Sequence, residues 1–151
     1  MALLKALQVR NGLPIPSSNG ATEIIRSVGD YTIKTGDAAG DVVEMCALPA
    51  GYVPVDTIID NASLATTSVG NVGILSGNYN ETGARTCGAQ FNSAANFATA
   101  GIKRMDVAGA GRIAPTTNDR SVGFVLTSLT TPVVGGTVRM TVMLRAQSEG
   151  V

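Results

Sequence analysis

From Thr137 to Arg145 the side chains alternate: Val138, Met140, Val142 and Leu144 fall on one face, and Thr137, Arg139, Thr141, Met143 and Arg145 on the other. A period of two admits a strand with one buried face and excludes an amphipathic helix, whose apolar residues recur every three to four positions. Burying four such side chains is worth on the order of 1.5–3 kcal/mol each before entropy, so this strand belongs inside a fold. The same pattern begins at Ile24 and is clear through Tyr31–Thr35; Val69–Ser76 and Ser121–Thr127 read as further strands. Gly70 and Gly73 suggest a bulge or a close backbone approach in the first of these. Between Gly40 and Asp60 two β-branched arms flank Leu48-Pro49-Ala50-Gly51, whose Pro and Gly suit a tight turn. This stretch is expected to form a central hairpin.

The rest of the composition agrees. Eighteen glycines with only 4% aromatic residues point to small side chains and many turns, and 151 residues suffice for one domain with its own core. The expected fold class is all-β, an antiparallel β-sandwich or jelly-roll-like domain with an extended N-terminal arm. Residues 1–22 are the arm, and 23–151 are the sandwich, with a long irregular insertion at about 77–119. Lys5 and Gln8 interrupt the apolar start and no small-residue cleavage pattern follows, so this start is read as an arm and not as a secretory leader. Pro14 and Pro16 favour an extended path. Leu3, Leu4, Leu7, Leu13 and Ile15 are too apolar for a free tail, and they are expected to lie on a neighbouring subunit or back on the chain's own sheet. Within the insertion, Ser93–Ala100 fits one short helix capped by Asn92 or Ser93. Long insertions in compact domains commonly carry function, so partner contacts are expected there, with Phe91 and Phe97 joining the five arm residues as interface candidates.

Searches for chemistry return little. Eleven basic residues balance eleven acidic ones without a basic stripe, which argues against nucleic acid or membrane as partner. The chain has no histidine, hence no His-based triad and no Cys/His pair. Cys46 and Cys87 lack Cys-x-x-Cys spacing, so zinc is not expected and two free thiols in a reducing compartment are. Gly109-Ala-Gly111 lacks a preceding strand and Pro115 blocks a following helix, so it is a loop and not a dinucleotide fingerprint. Asp37 with Asp41 and Asp56 with Asp60 have no calcium-loop spacing and are assigned to turns and surface. The aromatics Tyr31, Tyr52, Tyr79, Phe91, Phe97 and Phe124 are too few for a sugar platform. No enzyme, metal or cofactor is expected.

The succession Gly40-Asp-Val-Val-Glu44, Leu48-Pro-Ala-Gly51, Val55-Asp-Thr-Ile-Ile59, Val72-Gly-Ile-Leu-Ser-Gly77, Arg120-Ser-Val-Gly-Phe124 and Gly136-Thr-Val-Arg-Met-Thr-Val142 resembles small structural proteins of tailed bacteriophages. It is similar to head decoration (cement) proteins over about residues 30 to 145. The resemblance implies a β-rich module on the outer surface of the capsid, made in the host bacterial cytoplasm. It implies binding to the major capsid protein and to itself, as a homotrimer or homodimer, and stabilisation of the head through intersubunit contacts. It carries over no catalytic residue. Another virion component, in the tail, neck or a fibre, is the alternative, and a carbohydrate-binding or adhesion module is the less favoured one.

Overall fold

The computed structural model describes residues 3–5 and 24–147. Nine strands follow in order: β1 (Leu3–Lys5), β2 (Ile24–Thr32), β3 (Val42–Leu48), β4 (Tyr52–Asn61), β5 (Ala65–Ile74), β6 (Asn92–Asn96), β7 (Gly101–Arg104), β8 (Arg120–Pro132) and β9 (Thr137–Ala146). The first sheet has the order β1-β3-β8-β5-β6 and the second β2-β9-β4-β7. A single 3-10 turn, Ala110–Arg112, is the one helical piece among the described residues.

The pairing has a simple logic. β2 pairs with β9, β3 with β8, β4 with β7 and β5 with β6, all antiparallel. Four strands therefore run out and four return, each beside its counterpart, as one long double ribbon. Folding that ribbon over sends successive pairs to alternate sheets and brings β9 against β4 and β8 against β5. This is the jelly-roll wrap, two Greek keys closing a sandwich, so the expected sandwich class holds and its topology is now specific.

Three expectations change. The Gly40–Asp60 stretch is not a hairpin: β3 lies in the first sheet and β4 in the second, so the turn at Pro49–Gly51 arches across the core. Gly51 has φ 74°, the left-handed value the turn needs. Pairing is not antiparallel throughout, because β1 runs parallel to β3, Leu3 opposite Val42. The helix at Ser93–Ala100 is absent; Asn92–Asn96 instead pairs with β5 at the sheet edge.

The core lies between the sheets. Val138, Met140, Val142 and Leu144 of β9 are all fully buried, as the alternation demanded. They meet Val43, Met45, Cys46, Leu48, Val122, Phe124 and Leu126 from the other sheet. Phe124 packs tilted on Phe97 at 5.6 Å and edge-on to Tyr31 at 6.4 Å between ring centroids. At one point the backbones themselves touch: a Cβ on Gly29 of β2 would overlap the Met45 carbonyl at the β3 bulge. Backbone cannot rotate away, so Gly29→Ala should cost about 1–3 kcal/mol, measured as a lowered urea midpoint at unchanged slope. An unchanged midpoint would mean that the sheets separate freely at this point.

Candidate interaction surface

The two outer faces of the sandwich differ. Every residue of β3 is buried, which requires that both its faces be covered. The segment after β5 does this on the outside. Leu75 bridges to Cys87, and the backbone of Gly88 and the side chain of Gln90 lie where a Gly73 side chain would be. Arg85, itself buried, donates to Glu44 Oε1 at 2.6 Å, to Ser76 O at 2.5 Å and to Ser121 Oγ at 3.3 Å. Glu44 Oε1 also accepts from Asn80 N at 2.9 Å and from the Ser121 hydroxyl. This buried cluster clamps residues 75–90 onto the first sheet.

Cys87 sits under this cover and Cys46 on the other side of the sheet, in the core between the two sheets. Cys46 Sγ donates toward the Ser27 and Met140 carbonyls, 3.5 Å from each, and Cys87 Sγ toward Gly123 O at 3.5 Å. Burial pushes each thiol up to about 12, and hydrogen bonding to the sulfur offsets only part of the shift. The thiolate is the reactive species, so neither cysteine should be modified by a disulfide reagent near neutral pH until the chain unfolds. Rapid stoichiometric labelling of the native protein would contradict this.

The outer face of the second sheet is covered unevenly: Val53 and Asp56 are buried, with the Ala110–Arg112 turn against β4, while Ile24, Arg26, Asp60, Arg139 and Arg145 are exposed. Its side chains form cross-strand rows fixed by the register: Ile24–Arg145–Val53, then Arg26–Met143–Asp56, then Val28–Thr141–Ile58–Arg104, then Asp30–Arg139–Asp60–Ile102. Arg104 pairs with Asp56, and Arg139 Nε donates to Asp30 at 2.6 Å. The Asp30 hydrogen bond, with the Asp30 and Asp60 charges behind it, holds the Arg139 guanidinium above its usual range. At one end an apolar groove of about 210 Å³ is lined by Ile24, Val53, Pro54, Val55, Gly111 and Arg145. At the other a polar hollow of about 410 Å³ runs between Asp30, Asp60 and Arg139. Beside it the β8–β9 turn exposes Val133 and Val134, at 46% and 63%.

Of the interface candidates, Phe91 and Phe97 are corrected: both are 0% exposed and belong to the core. The insertion that carries them is thus part of the sandwich, pinned by Phe91 N to Val72 O and Phe97 N to Ser68 O. Leu3 and Leu4 fall in β1; Leu7, Leu13 and Ile15 lie outside the described residues. Asp37 accepts from the Tyr31 hydroxyl and Lys34 N, and Asp41 from Ala38 N, which are turn roles. No metal-holding group of carboxylates, cysteines or histidines occurs among the described residues. The Glu44 clamp had a readable signal, since a carboxylate between Val43 and Met45 in an apolar strand demands a buried partner. The rows on the outer face of the second sheet had none, because they depend on register.

No family model matches the chain, and no curated protein matches it. Among solved structures it is similar to a chain of the Ralstonia phage GP4 capsid, with TM-score 0.90 and 29% identity over 99% of this chain and 100% of that one. It is also similar to a chain of the cyanophage Pam1 capsid asymmetric unit, with TM-score 0.54 and 22% identity over 88% of this chain and 91% of that one. A third likeness is to the acid-stable capsid of Helicobacter pylori bacteriophage KHP30, with TM-score 0.52 and 14% identity over 85% and 92%. The last two speak to the fold alone. The whole-length likeness to the GP4 capsid chain supports a structural protein of a phage virion as the class.

Proposed function

We propose that the chain is a bacteriophage head decoration protein, bound to the outside of the assembled capsid and stabilising it through contacts with the major capsid protein and with its own copies. The observation that carries this reading is the match to a capsid chain along its entire length. Several physical features support it. The chain is formally neutral, so packing many copies on a shell costs little electrostatic repulsion. A jelly roll closed around a continuous core offers a rigid body, and symmetric repetition turns modest contacts into large total stabilisation. Leu3 and Leu4 lie in β1 on the chain's own first sheet, which leaves Leu7, Leu13 and Ile15 of the arm as the proposed capsid contacts.

The test adds purified chain to heads assembled without it and measures co-sedimentation. Saturable binding by the full chain is expected, with binding lost when Leu7, Leu13 and Ile15 are replaced by serine, outside β1, and the circular dichroism spectrum retained. Failure of the full chain to bind heads would overturn the reading. Equal binding by the substituted chain would remove the arm from it.

A further inference from the structure

We infer that the polar hollow between the two ends of the 77–119 insertion is a binding site for a neutral sugar, a pyranose with adjacent free hydroxyls. The inference concerns the isolated chain and does not depend on its contacts with the head.

The hollow has a volume of about 340 Å³ and is lined by Asn78, Tyr79, Thr117, Asn118 and Asp119. These residues come from the start and the finish of the insertion, whose middle is taken into the core through Phe91 and Phe97. Hydrogen bonds fix both walls. Asp119 O accepts from Tyr79 N at 2.9 Å, which ties one wall to the other. Asp119 Oδ1 accepts from Ala50 N at 2.8 Å and Thr116 O from Gly51 N at 2.9 Å, which ties the second wall to the arch between the sheets. Beside the first wall, Asn80 N is held by the buried Glu44 carboxylate at 2.9 Å. A site supported in this way before a ligand arrives loses less freedom on binding.

Backbone groups and one carboxylate oxygen do the holding, so the side chains remain available. The Asn78 and Asn118 amides, the Tyr79 and Thr117 hydroxyls and Asp119 Oδ2 have no hydrogen-bond partner among the described residues. Burial, with the Glu44 charge behind it, raises the Tyr79 phenol above its usual range, so its hydroxyl stays protonated and donates. That inventory selects a ligand. No lysine or arginine lines the hollow and Asp119 repels an anion. A single carboxylate with one oxygen already engaged falls short of the oxygen-rich cage that Ca²⁺ takes. An apolar ligand would strand the polar groups without water. A pyranose satisfies them, because each of its hydroxyls donates and accepts and two neighbours are spanned by one amide or carboxylate. The chain's few aromatics cannot make a flat stacking platform, but a recess needs only one ring for the sugar's C–H face, and Tyr79 lines this one. A single hollow of this kind should hold a monosaccharide weakly, with Kd on the order of 1 mM.

The test couples the full chain in many copies to fluorescent beads, so that weak sites act together. The beads are applied, with a chelator present, to an array of neutral glycans ending in glucose, galactose, mannose, rhamnose or N-acetylglucosamine. Saturable binding to at least one of them is expected, competed by the matching free monosaccharide. Thr117→Val with Asn118→Ala changes two exposed side chains, should leave the circular dichroism spectrum unaltered, and should weaken binding by about tenfold or more. Asp60→Asn, in the separate hollow beside Arg139, should leave binding unchanged. No saturable binding to any of these glycans, binding that the Thr117→Val, Asn118→Ala chain retains in full, or an equal loss in Asp60→Asn would overturn the inference. Head binding is read separately by co-sedimentation, so failure of either result leaves the other standing.

Discussion

Exchanging Arg85 for methionine is expected to destabilise the isolated chain by about 3–5 kcal/mol, a large part of the roughly 5–15 kcal/mol that holds a domain of this size together. Arg85 and Glu44 have side chains 2% and 0% exposed. Removing the guanidinium leaves the Glu44 carboxylate in a dry site without that counter-charge and takes donors from Ser76 O and Ser121 Oγ. A buried pair is weak evidence for stability in itself, because its desolvation offsets most of its attraction; breaking it is what costs. The double exchange Arg85→Met with Glu44→Leu should consequently recover most of the loss. Urea unfolding of the four proteins forms the cycle. A single-mutant loss below about 1 kcal/mol would mean that water reaches the cluster, and the 75–90 segment would then not be the seal described.

Phe97→Ala should be comparably damaging, at about 3–5 kcal/mol, because the ring is fully buried against Phe124 and its removal leaves a cavity. The magnitude separates two roles for the insertion. A ring held outward for a partner would leave the isolated chain as stable as before. A ring in the core makes the insertion part of the folding unit, so unfolding should stay a single transition with a lowered midpoint. An unchanged midpoint would return Phe97 to the surface and contradict the core assignment.

The elements that alternate were legible from the residues alone. β9 lies where its period of two put it, because one face is core and the other is solvent. β3 shows what alternation cannot say: its run from Val42 to Leu48 is apolar except for Glu44, and only the fold reveals that its outer cover is a segment from the other end of β5. The turn at Pro49–Gly51 was located correctly and misread in consequence, since the same turn chemistry serves a hairpin or an arch between sheets. What decides is the partner each strand finds, and those partners, β8 and β9, lie more than sixty residues downstream. The error at 93–100 had a local warning. Phe91 and Phe97 are six apart, which places them on one face of an extended chain but roughly 120° apart around a helix. Two rings bound for one core favoured the extended path, and pairing with β5 overrode the helical propensity of Ser93-Ala-Ala95. The outer face of the second sheet was illegible for a different reason. Its cross-strand rows are assembled from β2, β4 and β9, and a shift of one residue in any of them would have turned those side chains inward.

The central claim, a decoration protein of a phage head, is tested most directly by counting. Quantitative densitometry of this chain against the major shell protein in purified particles should give a fixed ratio, with copies comparable in number to the shell subunits. A handful of copies per particle would place the chain in the tail or neck, and its absence from particles would contradict the virion role altogether.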